Sequence, residues 1–132
     1  MRGPVPARAY KASDTMHGHI LIVEDDPLVA MMFEECLDVL GCDVAGSVET
    51  VSDAILRITA GSIDAAILDV HLANGETSEP VAAVLNAMNI PYIVTTGGYN
   101  RQVEASYAGA PILAKPFTLA SLSQALEQIS RI

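Results

Sequence analysis

Apolar and polar positions alternate along the chain in short blocks, and each block carries its own period. His19, Ile20, Leu21, Ile22 and Val23 form a short, almost wholly apolar run over 19–23 of the kind found in a strand buried on both faces of a parallel sheet. The run stops at Glu24. Asp26 followed by Pro27 is a helix start, a capping carboxylate and then a proline at the first helical position, where its missing N–H costs nothing. Val29, Phe33, Cys36, Leu37 and Leu40 recur at helical spacing and Gly41 supplies a stop, which predicts a helix over 27–40.

The same punctuation continues to the end of the chain. Residues 42–45 predict a short second strand, Gly46 and Ser47 a turn, and Ala54, Ile55 and Ile58 one face of a helix over 49–60 that Gly61 closes. A third strand over 63–69 ends at a carboxylate, Asp69. Residues 71–79 hold Asn74, Gly75, Thr77 and Ser78 and predict a loop, after which Val81, Val84, Leu85 and Met88 mark a third helix. Residues 90–95 form the fourth strand, 96–100 a glycine-bearing loop, and only a short helix fits between Arg101 and Tyr107. The fifth strand covers 111–114. Thr118 then caps a last helix whose buried stripe is Leu122, Ala125, Leu126 and Ile129.

Five strand–helix units in succession predict a doubly wound parallel sheet covered by helices on both faces. In such sheets ligands bind at the carboxyl ends of the strands, beside a topological switch point, so the polar residues at strand ends carry the functional weight. Composition agrees with one globular domain: 132 residues, 51% hydrophobic and 17% charged. Residues 1–18, rich in Pro, Ala, Gly and Arg, predict a flexible extension, and 19–132 the domain itself.

Charge narrows the function classes. The formal charge is −9, and the basic extension hides a larger deficit, because residues 19–132 carry four basic against fifteen acidic side chains, or −11. Nucleic-acid binding, which needs Lys and Arg on phosphates, is argued against. There is no run of about 20 apolar residues to insert into a membrane and no apolar core of a signal peptide, which predicts a cytoplasmic protein. Cys36 and Cys42 lack a CxxC or ligand-rich setting, so reduced thiols are expected, not a redox pair or a zinc site.

The strand-end residues are Glu24 and Asp25 after the first strand, Asp69 after the third, Thr96 after the fourth and Lys115 after the fifth. Singly each has a plain explanation: the acidic pair as dipole complement to the helix that follows, Asp69 as a loop acid, Thr96 as a turn hydroxyl, Lys115 as a solvated lysine. Together they converge on one edge. Carboxylates ~4 Å apart repel by about 4 kcal/mol per pair at an effective dielectric of 20, so the cluster calls for a cation or for protonation. Oxygen donors without a Cys or His pair describe Mg²⁺ better than Zn²⁺.

At these residues the chain resembles a known family. Ile20 to Asp26, Ile67 to Asp69, the strand-end Thr96 and Lys115-Pro116-Phe117 look like the motifs of the receiver domain of bacterial two-component response regulators, in order, over about 19–132. The resemblance implies a flavodoxin-like sheet of order 2-1-3-4-5. It makes Asp69 the phosphoacceptor, Asp25 the direct Mg²⁺-binding acid, Glu24 a neighbour acting through water, and the backbone carbonyl of His71 the third protein ligand. It also implies that Lys115 pairs with Asp69 or its acyl phosphate from a cis Lys–Pro peptide, and that the Thr96 hydroxyl bonds a phosphoryl oxygen as a switch.

Two departures refine it. The family commonly has Tyr or Phe three residues before the lysine, where this chain has Ile112. Residues 91–99 instead resemble the signature of the FAT GUY receivers of alphaproteobacteria, with Tyr92, Val94 and Thr95 as substitutions, which makes Tyr99 the candidate switch aromatic and the fourth helix short or mobile. The implied partners are a sensor histidine kinase or a histidine phosphotransfer protein, with the protein a monomer or weak dimer that signals through contact or onward transfer as a single-domain receiver. The alternative is a receiver-like module that binds and regulates a histidine kinase without being phosphorylated. A phosphatase of the haloacid dehalogenase type would want a second acid two residues beyond Asp69, at His71, and a flavodoxin would want a phosphate-cradling Ser/Thr loop after the first strand.

Overall fold

A computed structural model describes residues 18–98, 101–107 and 109–130. Tyr99 and all of the extension except Gly18 lie outside the described residues. Five strands, β1 (His19–Val23), β2 (Asp43–Val48), β3 (Ala65–Asp69), β4 (Tyr92–Thr96) and β5 (Ile112–Ala114), pair in parallel in the order β2-β1-β3-β4-β5. The helices between and after them are α1 (Pro27–Val39), α2 (Val51–Ala60), α3 (Glu79–Ala87), α4 (Arg101–Ser106) and α5 (Leu119–Ser130). This is the doubly wound flavodoxin-like sheet anticipated from the alternation, with a fourth helix of six residues.

Alternate residues of each central strand point to opposite faces, so one apolar run serves two cores. Ile20, Ile22, Ala65, Ile67 and Ile93 meet Ala30, Phe33 and Leu37 of α1 and Leu122, Leu126 and Ile129 of α5. Leu21, Val23, Ala66, Leu68 and Val94 meet Ala54 and Ile58 of α2, Val81 and Leu85 of α3, and Val103 and Tyr107 at α4. β1, β3 and β4 are therefore apolar nearly throughout, with no polar-out alternation to distinguish them from buried helix. Among the described residues, no helix is long and apolar enough to cross a membrane.

The helix starts follow the chemistry read from sequence. The Asp26 carboxylate accepts from the N–H groups of Leu28 and Val29, with Pro27 in the first turn, and the Thr118 hydroxyl accepts from Ser121 N–H at 3.0 Å. The largest correction concerns β2. It extends to Val48 and includes Gly46 and Ser47, which pair with Leu21 and Ile22 after a register shift, where a turn was expected. The glycine is there for a close approach: Arg57 of α2 donates to the Ala45 carbonyl at 2.7 Å, and a Cβ at position 46 would run into its guanidinium. Smaller shifts move β3 to start at Ala65, not residue 63, and β4 to run from Tyr92 through Thr96, so that Thr96 is the last residue of its strand.

Candidate functional site

The strand order puts β1 and β3 side by side, and their carboxyl ends deliver acids to one place. Asp69 is the last residue of β3, and Glu24 and Asp25 follow β1 directly. One carboxylate oxygen from each of the three lies within 4.8 Å of the others. Glu24 is 2% exposed and Asp69 8%, so two of these acids sit where a lone carboxylate would be expensive to ionise.

Lys115 answers part of that charge. Its Nζ donates to Glu24 Oε1 at 3.1 Å and to Asp69 Oδ2 at 3.0 Å. The remaining Glu24 oxygen accepts from the Asp26 backbone N–H at 3.1 Å, which ties the acid to the start of α1. Burial, reinforced by the charge of Asp69, still pushes the Glu24 carboxyl up to about 7, against the pull of the Asp26 N–H and Lys115. Burial works against the Lys115 charge, but Asp69 and then Glu24 outweigh it and hold the ammonium above the ordinary lysine range. The acids are thus only partly compensated by the chain's own cation.

Lys115 is positioned from behind. It follows β5 directly, its N–H donates to the Thr96 carbonyl at 2.9 Å, and the Lys115–Pro116 peptide is cis. Phe117 lies on Phe33 of α1 with ring centroids 4.2 Å apart and planes 2° from parallel. The chain has two phenylalanines, and both go into this stack, worth about 0.5–1.5 kcal/mol beyond its buried area. Sequence reasoning assigned Phe33 to the α1 stripe and Phe117 to a motif without pairing them; no local signal connects residues so far apart.

The other expected site residues lie on the same edge with different partners. Thr96 is 3% exposed, and its hydroxyl closes on its own loop, donating to the Gly98 carbonyl at 2.9 Å and accepting from Gly98 N–H at 3.1 Å. His71 lies two residues beyond Asp69 with an exposed side chain and pairs across the loop with Thr77 in an antiparallel bridge. Glu24, Asp25, Asp69 and Lys115 are therefore brought together, Thr96 stands at the same edge engaged elsewhere, and Tyr99 is outside the described residues.

A divalent cation fits this donor set. The clustered atoms are all carboxylate oxygens, with no Cys or His among them, and their mutual distances allow one ion to touch each. The residual negative charge beside Lys115 is also what a hard cation neutralises.

Comparison with known proteins gives a consistent family. Residues 20–127 match the family model of the response regulator receiver domain. The chain is 32% identical over 116 residues to the phyllosphere-induced regulator PhyR of Methylorubrum extorquens, covering 86% of this chain and 43% of that protein. It is 30% identical over 117 residues to the swarming motility regulation protein RssB of Serratia marcescens, covering 86% of this chain and 53% of that one. The chain thus spans about half the length of the curated relatives it matches. Among solved structures it resembles SdrG from Sphingomonas melonis Fr1, with 48% identity, 83% of this chain and 93% of that one covered, and a TM-score of 0.75. It also resembles the beryllofluoride-activated conformation of SdrG from Pseudomonas melonis Fr1, with 49% identity, 82% and 92% covered, and a TM-score of 0.72.

Proposed function

The chain belongs to the response regulator receiver domain family and so has a role in two-component signalling, and from that premise we propose that it accepts a phosphoryl group from a phosphohistidine onto Asp69. The observation that carries this is the setting of Asp69: a buried strand-end carboxylate, clustered with Glu24 and Asp25 and held 3.0 Å from Lys115 Nζ. The donor is a sensor histidine kinase or a histidine phosphotransfer protein, and the chain is a signalling protein, not a turnover enzyme. The beryllofluoride-activated state of SdrG supports the reading, because beryllofluoride on a carboxylate imitates an acyl phosphate.

An Asp69 oxygen attacks the phosphorus in line; the new O–P bond forms as the P–N bond of the donor breaks, its electron pair stays on the ring nitrogen, and the imidazole leaves neutral with the proton its other nitrogen already carries. Glu24, Asp25, Asp69 and the His71 backbone carbonyl would hold Mg²⁺, which when bound neutralises charge on the transferring oxygens. Lys115, already bridging Glu24 and Asp69, turns its ammonium to the incoming phosphoryl oxygens. Thr96 exchanges Gly98 for a phosphoryl oxygen, so the charge gained at Asp69 is registered by the loop after β4.

Incubation with a phosphorylated histidine kinase and Mg²⁺ tests this, with Asp69→Asn as control. Labelling of the natural protein and its loss by at least a hundredfold in Asp69→Asn are expected. Label retained on Asp69→Asn overturns the assignment. No label from any donor, with kinase binding preserved, would leave the chain as an unphosphorylated module that regulates its partner by contact.

A further inference from the structure

A buried hydrogen bond ties the loop that leaves Asp69 to the end of α4. Val70, next to Asp69, accepts through its carbonyl from Ser78 N–H at 3.0 Å. Ser78 precedes α3 at the position where a serine ordinarily caps the helix, yet its side chain makes no capping bond. Its hydroxyl instead lies 3.0 Å from the Tyr107 hydroxyl, with Ser78 0% and Tyr107 1% exposed. Tyr107 directly follows α4. Giving up a cap to reach α4 marks the contact as more than a by-product of packing.

Tyr107 has a second, separable tether. Its carbonyl accepts from the Tyr92 hydroxyl at 3.3 Å and from Ala110 N–H at 2.9 Å, and the Tyr92 hydroxyl in turn accepts from Asn86 at 3.2 Å. That tether runs to β4 and the end of α3, not to the loop beside Asp69. Beside Tyr107 the two elements stand apart: a cavity of about 160 Å³ lies between Val70, His71 and Thr77 of the loop and Val103, Ser106 and Tyr107 at α4. It is large enough for several waters at roughly 30 Å³ each. Tyr107 lines that cavity, so its side chain has a solvated alternative when the loop moves, while Ser78 stays fully buried.

The geometry points to the Ser78–Tyr107 hydrogen bond as the coupling through which α4 registers the state of Asp69. This rests on the reading of Asp69 as phosphoacceptor. Added charge at Asp69 displaces the backbone that follows it, the Val70–Ser78 bond carries the displacement to the Ser78 hydroxyl, and Tyr107 either follows or exchanges Ser78 for water. In both cases the end of α4 is repositioned.

Amide NMR of the Mg²⁺-loaded protein, with and without beryllofluoride, tests the coupling in the natural protein and in Tyr107→Phe, Ser78→Ala and Tyr92→Phe. Tyr107→Phe keeps the ring in place and removes only the hydroxyl. Beryllofluoride is expected to shift amides over 70–78 and 103–107 in the natural protein and in Tyr92→Phe. In Tyr107→Phe and Ser78→Ala the loop response persists while the α4 response falls by at least half. An α4 response undiminished in those two variants overturns the proposal, as does an equal loss in Tyr92→Phe. If the natural protein is silent throughout, the phosphoacceptor reading fails, and hydrogen exchange then decides the coupling. Ser78→Ala should speed exchange at Ala105 and Ser106 about fivefold, and Tyr107→Phe should do the same at Leu72 and Ser78. Exchange at either end indifferent to the mutation at the other overturns it.

Discussion

The two faces of the sheet are built from different material. Toward α1 and α5 the packing is aliphatic and aromatic, closed by the Phe33–Phe117 stack. Toward α2, α3 and α4 the core includes Tyr92 and Tyr107, whose hydroxyls bond Asn86, Ser78 and a backbone carbonyl. Apolar close packing tolerates no intermediate arrangement and holds its elements rigidly. Buried hydroxyl pairs can exchange partners with water at little net cost. The α1/α5 face thus backs the lysine of the site with apolar packing, while the opposite face carries the buried hydroxyl bonds on which the proposed coupling depends.

The strongest way to break that division is Phe33→Ala. It removes a fully buried ring together with the support of the Lys115 loop, and a loss of about 3–5 kcal/mol is expected in urea denaturation. Loss below 1 kcal/mol would show that the α1/α5 face is not the rigid one.

At the edge shared by both faces a pH dependence is expected. The Glu24 carboxyl is raised in the folded protein to about 7, so folding favours its protonated form. Its contribution is fully present below the ordinary carboxylate range and is lost as pH rises through about 7. Denaturation of the metal-free protein should therefore show stability falling across this window, by up to about 3 kcal/mol from this group. Glu24→Gln should flatten the dependence, and an unchanged slope in that variant would assign it elsewhere.

On the opposite face the effect is smaller. Tyr107→Phe should cost about 1–2 kcal/mol, because the ring stays packed while the buried Ser78 hydroxyl loses its partner. A cost near that of Phe33→Ala would erase the contrast between the faces. Smallest is Asp26→Ala at the head of α1, expected to lose about 1 kcal/mol or less through the cap alone, read by the same denaturation.

Much of this was legible along the chain because its causes are local. The Asp26–Pro27 start of α1, the Thr118 cap of α5 and the apolar runs of β1, β3 and β4 need only neighbours within a turn or a pleat. The strand-end residues were legible as a set, since parallel strands joined by helices must all present their carboxyl ends to one edge. Where sequence reasoning failed, a distant residue had overridden a local signal. Gly46 reads as a turn until Arg57 is laid across it.

The sequence by itself determined the alternation of strand and helix, the family motifs and the identity of the acids at the edge. Only the tertiary structure decided how those charges are shared. Lys115 reaches Glu24 and Asp69 from 91 and 46 positions away, and its two bonds, the burial of Glu24 and the stack beneath the lysine exist only once β1, β3 and β5 are in one sheet. The physical reason is that period and capping act over a few residues, whereas burial and ion pairing depend on which segments meet.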